Sequence, residues 1–423
     1  MLRAIAADSV HCVVTSPPYW GLRDYGVEGQ IGLEKTPQEF VAVMVDVFRE
    51  VRRVLRPEGT CWLNLGDSFF SDGGHTSGDS LDRRGEYRIG RRPAAEYQAH
   101  RRPVANGAAW GLKPKDLCMI PARVAIALQE DGWWLRSDVV WHKPNGMPEA
   151  VKDRPVRAHE FIFLLTKSAR YFYDADATRE PCKAPEASTP EDMARAFSRR
   201  RATAAEVRQD PIVSPPPIVT NGNKGRKVAT QVEGARVNSH LGYSFPWAGT
   251  TALKRDVWSV TSKPFKGSHF ATFPPDLIEP CILAGTSAHG ACAACGAPWV
   301  RQVEATFHPQ EDVSADRGAR GAAGQKSMDE SSGWEGYPRG ATEVKTTGWA
   351  ASCACPSAAV VPCTVLDPFG GAGTTGMVAD RLGRNAVLLE LNPEYVDMAA
   401  SRLQADGGML MDVEVTRAMA EGR

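Results

Sequence analysis

Apolar positions along the first 170 residues recur with two alternating periods. Val10 to Thr15 is a short run rich in β-branched residues. It predicts a buried strand that stops at Pro17 and Pro18, where backbone donors are missing and φ is fixed. Thr36-Pro37-Gln38-Glu39 reads as a capping box with proline at the first helical position. Phe40, Val41, Met44, Val45, Phe48, Val51 and Leu55 follow at helical spacing, and Pro57 and Gly59 end that helix. Thr60 to Leu65 predicts a second strand, closing on Gly66-Asp67. A helix from about Lys115 to Gln129 and a strand around Leu135 to Trp141 come next. Phe161 to Leu165 is a continuous apolar run, as in a strand covered on both faces. This alternation predicts a mostly parallel sheet with helices on each side, and ligands in such sheets sit beyond the carboxyl ends of the strands.

The pattern returns near the C-terminus. Thr364 to Leu366 predicts a strand, Gly370, Gly371 and Gly373 a tight turn, and Thr374 to Leu382 a helix stopped by Gly383. Ala386 to Leu391 predicts the next strand, carrying Glu390 at its end. Asn392 caps a further helix with Pro393 at its first position. An acid about 20 residues beyond a glycine turn is placed to meet ribose hydroxyls. The turn reads Phe369-x-Gly371-x-Gly373, which is neither a dinucleotide fingerprint nor a phosphate-binding loop.

Charge changes the picture only locally. Lys plus Arg equals Asp plus Glu at 50 each, so net charge names no partner. Residues 83–102 nevertheless hold seven arginines, among them Arg91, Arg92, Arg101 and Arg102. A second set includes Arg199 and Arg200. Neither region shows a sustained apolar period, so both read as loops whose charge suits phosphate contacts. No apolar run approaches the roughly 20 residues of a spanning helix, and Met1 to Ala7 has no signal-peptide core. The expectation is a cytoplasmic protein with no membrane partner.

Ten cysteines are scattered along the chain, and four are closely paired. Cys292 and Cys295 form Cys-x-x-Cys-Gly, and Cys353 and Cys355 form Cys-x-Cys. Four thiolates complete a tetrahedral zinc site, so a structural zinc is expected, with free thiols as the alternative. The 57 residues between the pairs are Gly-rich and charged and read as a flexible insertion. Cys12, Cys61, Cys118, Cys281 and Cys363 lie in or beside apolar runs and are read as packing residues.

Thr-Ser-Pro-Pro-Tyr-Trp at 15–20 and Asp-Pro-Phe-x-Gly-x-Gly at 367–373 together resemble the DNA amino-methyltransferases in permuted order, with the catalytic motif ahead of the cofactor motif. Residues 255–285 are similar to the family segment that packs over the methionine end of the cofactor, with His269, Phe270 and Thr272 as contacts. Residues 159–168 are similar to the strand near the target-base pocket. The resemblance implies a Rossmann-like α/β fold dependent on S-adenosylmethionine, with a variable target-recognition region and a small zinc-ribbon-like insert. It implies a catalytic turn of Ser16, Pro17, Pro18 and Tyr19. Asp367, Phe369, Gly371, Gly373, Thr374, Glu390 and Asn392 are implied to hold the cofactor.

The implied chemistry is methyl transfer to an exocyclic amine of a base flipped from double-stranded DNA. In the family, the first side chain of the tetrapeptide and the following proline carbonyl hold the amine hydrogens, and the tyrosine stacks on the base. Here those are Ser16, Pro17 and Tyr19. Ser at the first position resembles the N4-cytosine members; N6-adenine methylation on the same architecture stays open. So do methylation of RNA or protein glutamine and a DNA-binding protein without catalysis. The expected organisation is a catalytic half over 1–180, target recognition over 181–250, and a cofactor-covering segment over 251–289. The zinc insert spans 290–356 and the cofactor-binding half 357–423. A cognate restriction endonuclease is a candidate partner, and the chain is expected as a monomer or homodimer.

Overall fold

The computed structural model describes residues 1–22, 25–70, 111–146, 148–181, 251–262, 273–309, 340–356, 359–408 and 412–416. Five helices are named among these: α1 (Pro37–Val54), α2 (Ile120–Glu130), α3 (Pro275–Gly285), α4 (Thr374–Arg381) and α5 (Pro393–Gly407). The strands are β1 (Val10–Thr15), β2 (Leu55–Leu65), β3 (Trp134–His142), β4 (His159–Thr166), β5 (Glu180–Pro181), β6 (Thr251–Ala252), β7 (Val257–Ser259), β8 (Ala291–Cys292), β9 (Trp299–Pro309), β10 (Gly340–Ala351), β11 (Val360–Val361), β12 (Thr364–Asp367) and β13 (Asn385–Leu388).

One seven-stranded sheet, ordered β13-β12-β1-β2-β4-β3-β7, forms the centre. Its strands pair in parallel except at β4, which runs antiparallel to both β2 and β3. The expected mostly parallel sheet is therefore present. Phe161 to Leu165 does form a strand, but the reversed one. Its reversal carries its first residues, His159 and Glu160, to the edge where the parallel strands end.

Alternating side chains separate two cores. Cys61, Leu63, Leu65 and Leu366 face one side with Phe40, Met44 and Phe48 of α1 and Val124 and Leu128 of α2. Trp62 and Val365 face the other side with Ile278 and Ile282 of α3 and Met377 and Val378 of α4. Six α1 residues are buried, and each large apolar one contributes about 1.5–3 kcal/mol. The capping box is formed as expected: Thr36 Oγ1 accepts from the Glu39 amide at 3.0 Å, and Glu39 Oε2 accepts from the Thr36 amide at 3.2 Å.

Three boundaries move from expectation. β2 begins at Leu55, not Thr60, because Leu55 already pairs with Val10. α2 begins at Ile120, because Lys115 and Met119 take left-handed φ of 74° and 57° and end any helical run before them. β13 stops at Leu388, leaving Glu390 in the turn that follows. The insertion is also more regular than expected, since β9 and β10 form a two-stranded sheet.

The chain divides into two compact units. One comprises Met1–Arg179, Leu253–Gln302 and Thr346–Arg423 and holds the central sheet. The other comprises Glu180–Ala252 and Val303–Lys345; among its described residues, β5 pairs with β6 through Glu180 with Ala252 and Pro181 with Thr251. No helix of the described residues is long and apolar enough to cross a membrane.

Candidate active site

β1 lies between β12 and β2, and its two neighbours are reached on opposite sides of the sheet order. That is the switch point at which open α/β sheets leave a crevice beyond their strand ends. A cavity of about 1470 Å³ lies there. Ser16, Pro17, Pro18 and Tyr19, at the mouth of β1, line it together with Phe369, Gly371, Thr374, Glu390 and Asn392, from beyond β12 and β13. The two motifs, at opposite ends of the sequence, thus share one space.

Asp367 joins them. Its carboxylate accepts from Thr15 Oγ1 at 2.6 Å, Thr375 Oγ1 at 2.7 Å and the Phe369 amide at 3.0 Å. Burial pushes its pKa up to about 6 despite these bonds, which favour the charged form. Its side chain organises the turn from beneath, with 2% of its surface exposed. Gly371 and Gly373 take φ of 51° and 76°, which side-chain-bearing residues avoid. A Cβ on Gly373 would also press on Ala399 Cβ at 3.1 Å.

Glu390 reaches back to that turn. Oε2 accepts from the Gly371 amide at 2.8 Å and Oε1 from the Asn392 amide at 2.9 Å. The acid therefore braces the glycine turn as well as facing the cavity. Asn392 Oδ1 accepts from the Glu394 amide at 2.9 Å and caps α5. Thr374 Oγ1 accepts from Arg402 Nη1 at 2.8 Å.

Tyr19 is held from the other direction. Its hydroxyl donates to Glu160 Oε2 at 2.7 Å, with Asn64 Oδ1 the longer alternative acceptor at 3.2 Å, and Ser16 faces the same hydroxyl. Burial and then the Glu160 charge push its ionisation well above the ordinary phenol value. Asn64 Nδ2 donates to the same Glu160 oxygen at 3.3 Å, and the Lys143 ammonium pairs with Oε1. Asn64, Lys143 and Glu160 all line the cavity, as does Asp67. Sequence patterns alone assign none of these four a role. The one available signal is that Gly66-Asp67 and His159-Glu160 sit at ends of apolar runs.

The remaining expected residues fall elsewhere. His269, Phe270, Thr272, Arg91, Arg92, Arg101, Arg102, Arg199 and Arg200 lie outside the described residues. The sulfurs of Cys292, Cys295, Cys353 and Cys355 lie within 4.8 Å of one another. Backbone amides of Cys295 and Ala294 hold the Cys292 thiol down to about 7. Gly296, which follows Cys295, gives its carbonyl to His11 Nε2 at 2.9 Å, while His11 Nδ1 accepts from the Thr364 amide at 3.0 Å. One buried imidazole thus ties the cysteine turn to β1 and β12. Cys12, Cys61, Cys118, Cys281 and Cys363 are buried, as packing residues should be.

Sheet order, crevice and the two motifs define a Rossmann-like methyltransferase. The profile of the DNA methylase family, which spans N6- and N4-directed enzymes, matches residues 10–292 and 363–401. This chain belongs to that family. It is 36% identical over 413 residues to Type II methyltransferase M.XycI of Xanthomonas campestris pv. cyanopsidis, covering 98% of this chain and 87% of that one. Type II methyltransferase M.Cfr9I of Citrobacter freundii is 36% identical over 406 residues, covering 96% and 85%. Among solved structures, the PvuII DNA methyltransferase (cytosine-N4-specific) aligns with TM-score 0.44 and 14% identity, covering 98% of this chain and 84% of that one. The family match breaks between 292 and 363, the stretch that holds β9, β10 and three of the four clustered cysteines.

Proposed function

We propose that this chain transfers the methyl group of S-adenosylmethionine to the exocyclic N4 amine of a cytosine flipped out of double-stranded DNA. The observation that carries the reading is the shared cavity. The Ser16–Tyr19 turn stands on one side and the Phe369–Gly373 turn with Glu390 on the other. A donor held by the second can face a base held by the first. Membership in the DNA methylase family and the Type II names of the two relatives support DNA as substrate and a restriction–modification setting with a cognate endonuclease.

An exocyclic amine is a poor nucleophile because its lone pair is delocalised into the ring. Ser16 Oγ and the Pro17 carbonyl accept its two N–H groups and turn the lone pair out of the ring. Bound in the cavity, S-adenosylmethionine would supply an electrophilic sulfonium methyl to the amine nitrogen and be left as the neutral thioether, and the surplus amine proton would go to water. The two prolines keep both acceptors fixed, so catalysis rests on positioning and preset polarity. Tyr19 offers its ring to the flipped base. In the cavity, the Glu390 carboxylate suits the ribose hydroxyls of the cofactor, while the Phe369, Gly370, Gly371 and Gly373 amides are given to Asp367, Leu389, Glu390 and Gly370 and hold the turn in shape.

The cysteine cluster supports one structural zinc. A tetrahedral site with zinc–sulfur bonds near 2.3 Å spaces its sulfurs about 3.8 Å apart. Four sulfurs within 4.8 Å fit that with small adjustment. Cys292, Cys295, Cys353 and Cys355 would hold the ion, which would clamp the base of the β9–β10 insert.

Ser16→Ala tests the catalytic assignment. Turnover should fall at least about tenfold, roughly the effect of removing one transition-state hydrogen bond, while cofactor affinity stays within about twofold. An unimpaired variant would remove Ser16 from the reaction.

A further inference from the structure

The geometry points to Glu160 as a positioning residue for methyl transfer: it holds the Tyr19 hydroxyl and thereby fixes the aromatic face that receives the target base. The inference rests on the proposed reading of the cavity and assigns the reversed strand β4 a part in it.

Each polar atom of the Glu160 side chain has a partner. Oε2 accepts from Tyr19 at 2.7 Å and from Asn64 Nδ2 at 3.3 Å; Oε1 pairs with Lys143. Lys143 is itself held, with its ammonium 4.1 Å from the centroid of the Trp141 ring. Asn64 Nδ2 also donates to the Phe161 carbonyl at 3.1 Å. Both carboxylate oxygens are therefore engaged, and Oε2 is the one turned to Tyr19. Charge-assisted hydrogen bonds of this kind are shorter and about twice as strong as neutral ones.

The ring is confined on a second side. A Cβ added to Gly66 would fall 2.5 Å from Tyr19 Cε2, so the ring lies against bare backbone at the tip of β2. With its hydroxyl tethered and one side against Gly66, the ring plane is set before any base arrives. A free tyrosine would have to be ordered at each encounter. The Tyr19 proton is shared between Glu160 Oε2 at 2.7 Å and Asn64 Oδ1 at 3.2 Å, and Ser16 faces the same phenol.

An ordinary wall ion pair would raise folding stability and leave turnover alone. A double-mutant cycle separates the two. Glu160→Ala, Tyr19→Phe and the double variant of the full chain are compared on long unmethylated duplex DNA of mixed sequence with labelled cofactor. Turnover, KM for each substrate and the thermal midpoint are read together. Each single change should lower kcat about tenfold, the scale of one lost hydrogen bond to a charged group, with cofactor KM unchanged. The double variant should be no slower than Tyr19→Phe alone. Glu160→Gln, which keeps an acceptor for Tyr19, should recover most of the rate. Wild-type kcat in Glu160→Ala, multiplying losses in the double variant, or no rescue by Gln would overturn the role. If Glu160→Ala does not fold, wild-type kcat in Tyr19→Phe, which removes only the hydroxyl, would overturn it equally. Absence of label in DNA with the wild-type chain is a different result and would overturn the reading of the site itself.

Discussion

The Asp367 carboxylate accepts a 2.6 Å hydrogen bond from the Thr15 hydroxyl, and this contact joins the tip of β12 to the tip of β1. Thr15 immediately precedes the Ser-Pro-Pro-Tyr turn, and Asp367 opens the glycine turn. The bond thus spans 352 residues of sequence and fixes the distance between the two halves of the cavity.

The pair makes stability depend on pH in a defined direction. The buried Asp367 has a pKa of about 6 against the usual 3.8, so its protonated form is favoured by folding. Its stabilising contribution is complete below the unfolded value and is lost as pH rises to about 6, at most about 3 kcal/mol. Asp367→Asn removes the charge and fits: Oδ1 can keep Thr15 and the Phe369 amide, and Thr375 can turn its hydroxyl to the Val14 carbonyl 3.3 Å away. Urea unfolding should find the variant more stable than wild type above about pH 6, with the gap closing toward about pH 4. A gap independent of pH would contradict the assignment.

Glu390→Ala should weaken cofactor binding, by calorimetry, by about tenfold or more. A charge-assisted hydrogen bond is worth about 1.5–3 kcal/mol, and here the Gly371 and Asn392 amides lose their acceptor as well. Unchanged affinity would remove Glu390 from the cofactor side of the cavity.

The purified chain should carry about one zinc, by elemental analysis, and Cys292→Ser with Cys353→Ser should lose it. Chelation should loosen the β9–β10 insert more than it weakens cofactor binding, because the glycine turn is built from other residues. Protein prepared without chelator and free of zinc would count against the site.

Replacing Arg91, Arg92, Arg101 and Arg102 with Ala should lower DNA affinity and flatten its salt dependence, by a slope of about 0.9 for each phosphate that is no longer neutralised. A quadruple variant with the parent's slope would place that arginine-rich stretch away from DNA.

The parts of this site readable from sequence are those encoded locally. Pro17 and Pro18 announce the end of β1, Thr36 and Glu39 the start of α1, and Gly371 and Gly373 a turn with left-handed residues. The tether of Tyr19 is not readable, because it depends on the direction of β4. An apolar run such as Phe161 to Leu165 has the same pattern whichever way it pairs. The start of α2 is hidden for a related reason: nothing in the Met119 side chain signals its positive φ. Spacing places Glu390 near the cavity, but its bonds to Gly371 and Asn392 follow from the turn after Leu388. β9 and β10 go unread because the glycine-rich, charged residues that separate them hide their pairing; Trp299–Pro309 itself contains no glycine.

The central claim is the atom that receives the methyl group. The family resemblance of Thr-Ser-Pro-Pro-Tyr favours cytosine. A serine hydroxyl is also a shorter, neutral acceptor than aspartate and suits a base held close to the turn. Unmethylated duplex DNA is incubated with the chain and labelled S-adenosylmethionine, digested to nucleosides and resolved by mass spectrometry. The account predicts label in N4-methyl-2′-deoxycytidine. Label in N6-methyl-2′-deoxyadenosine would contradict it.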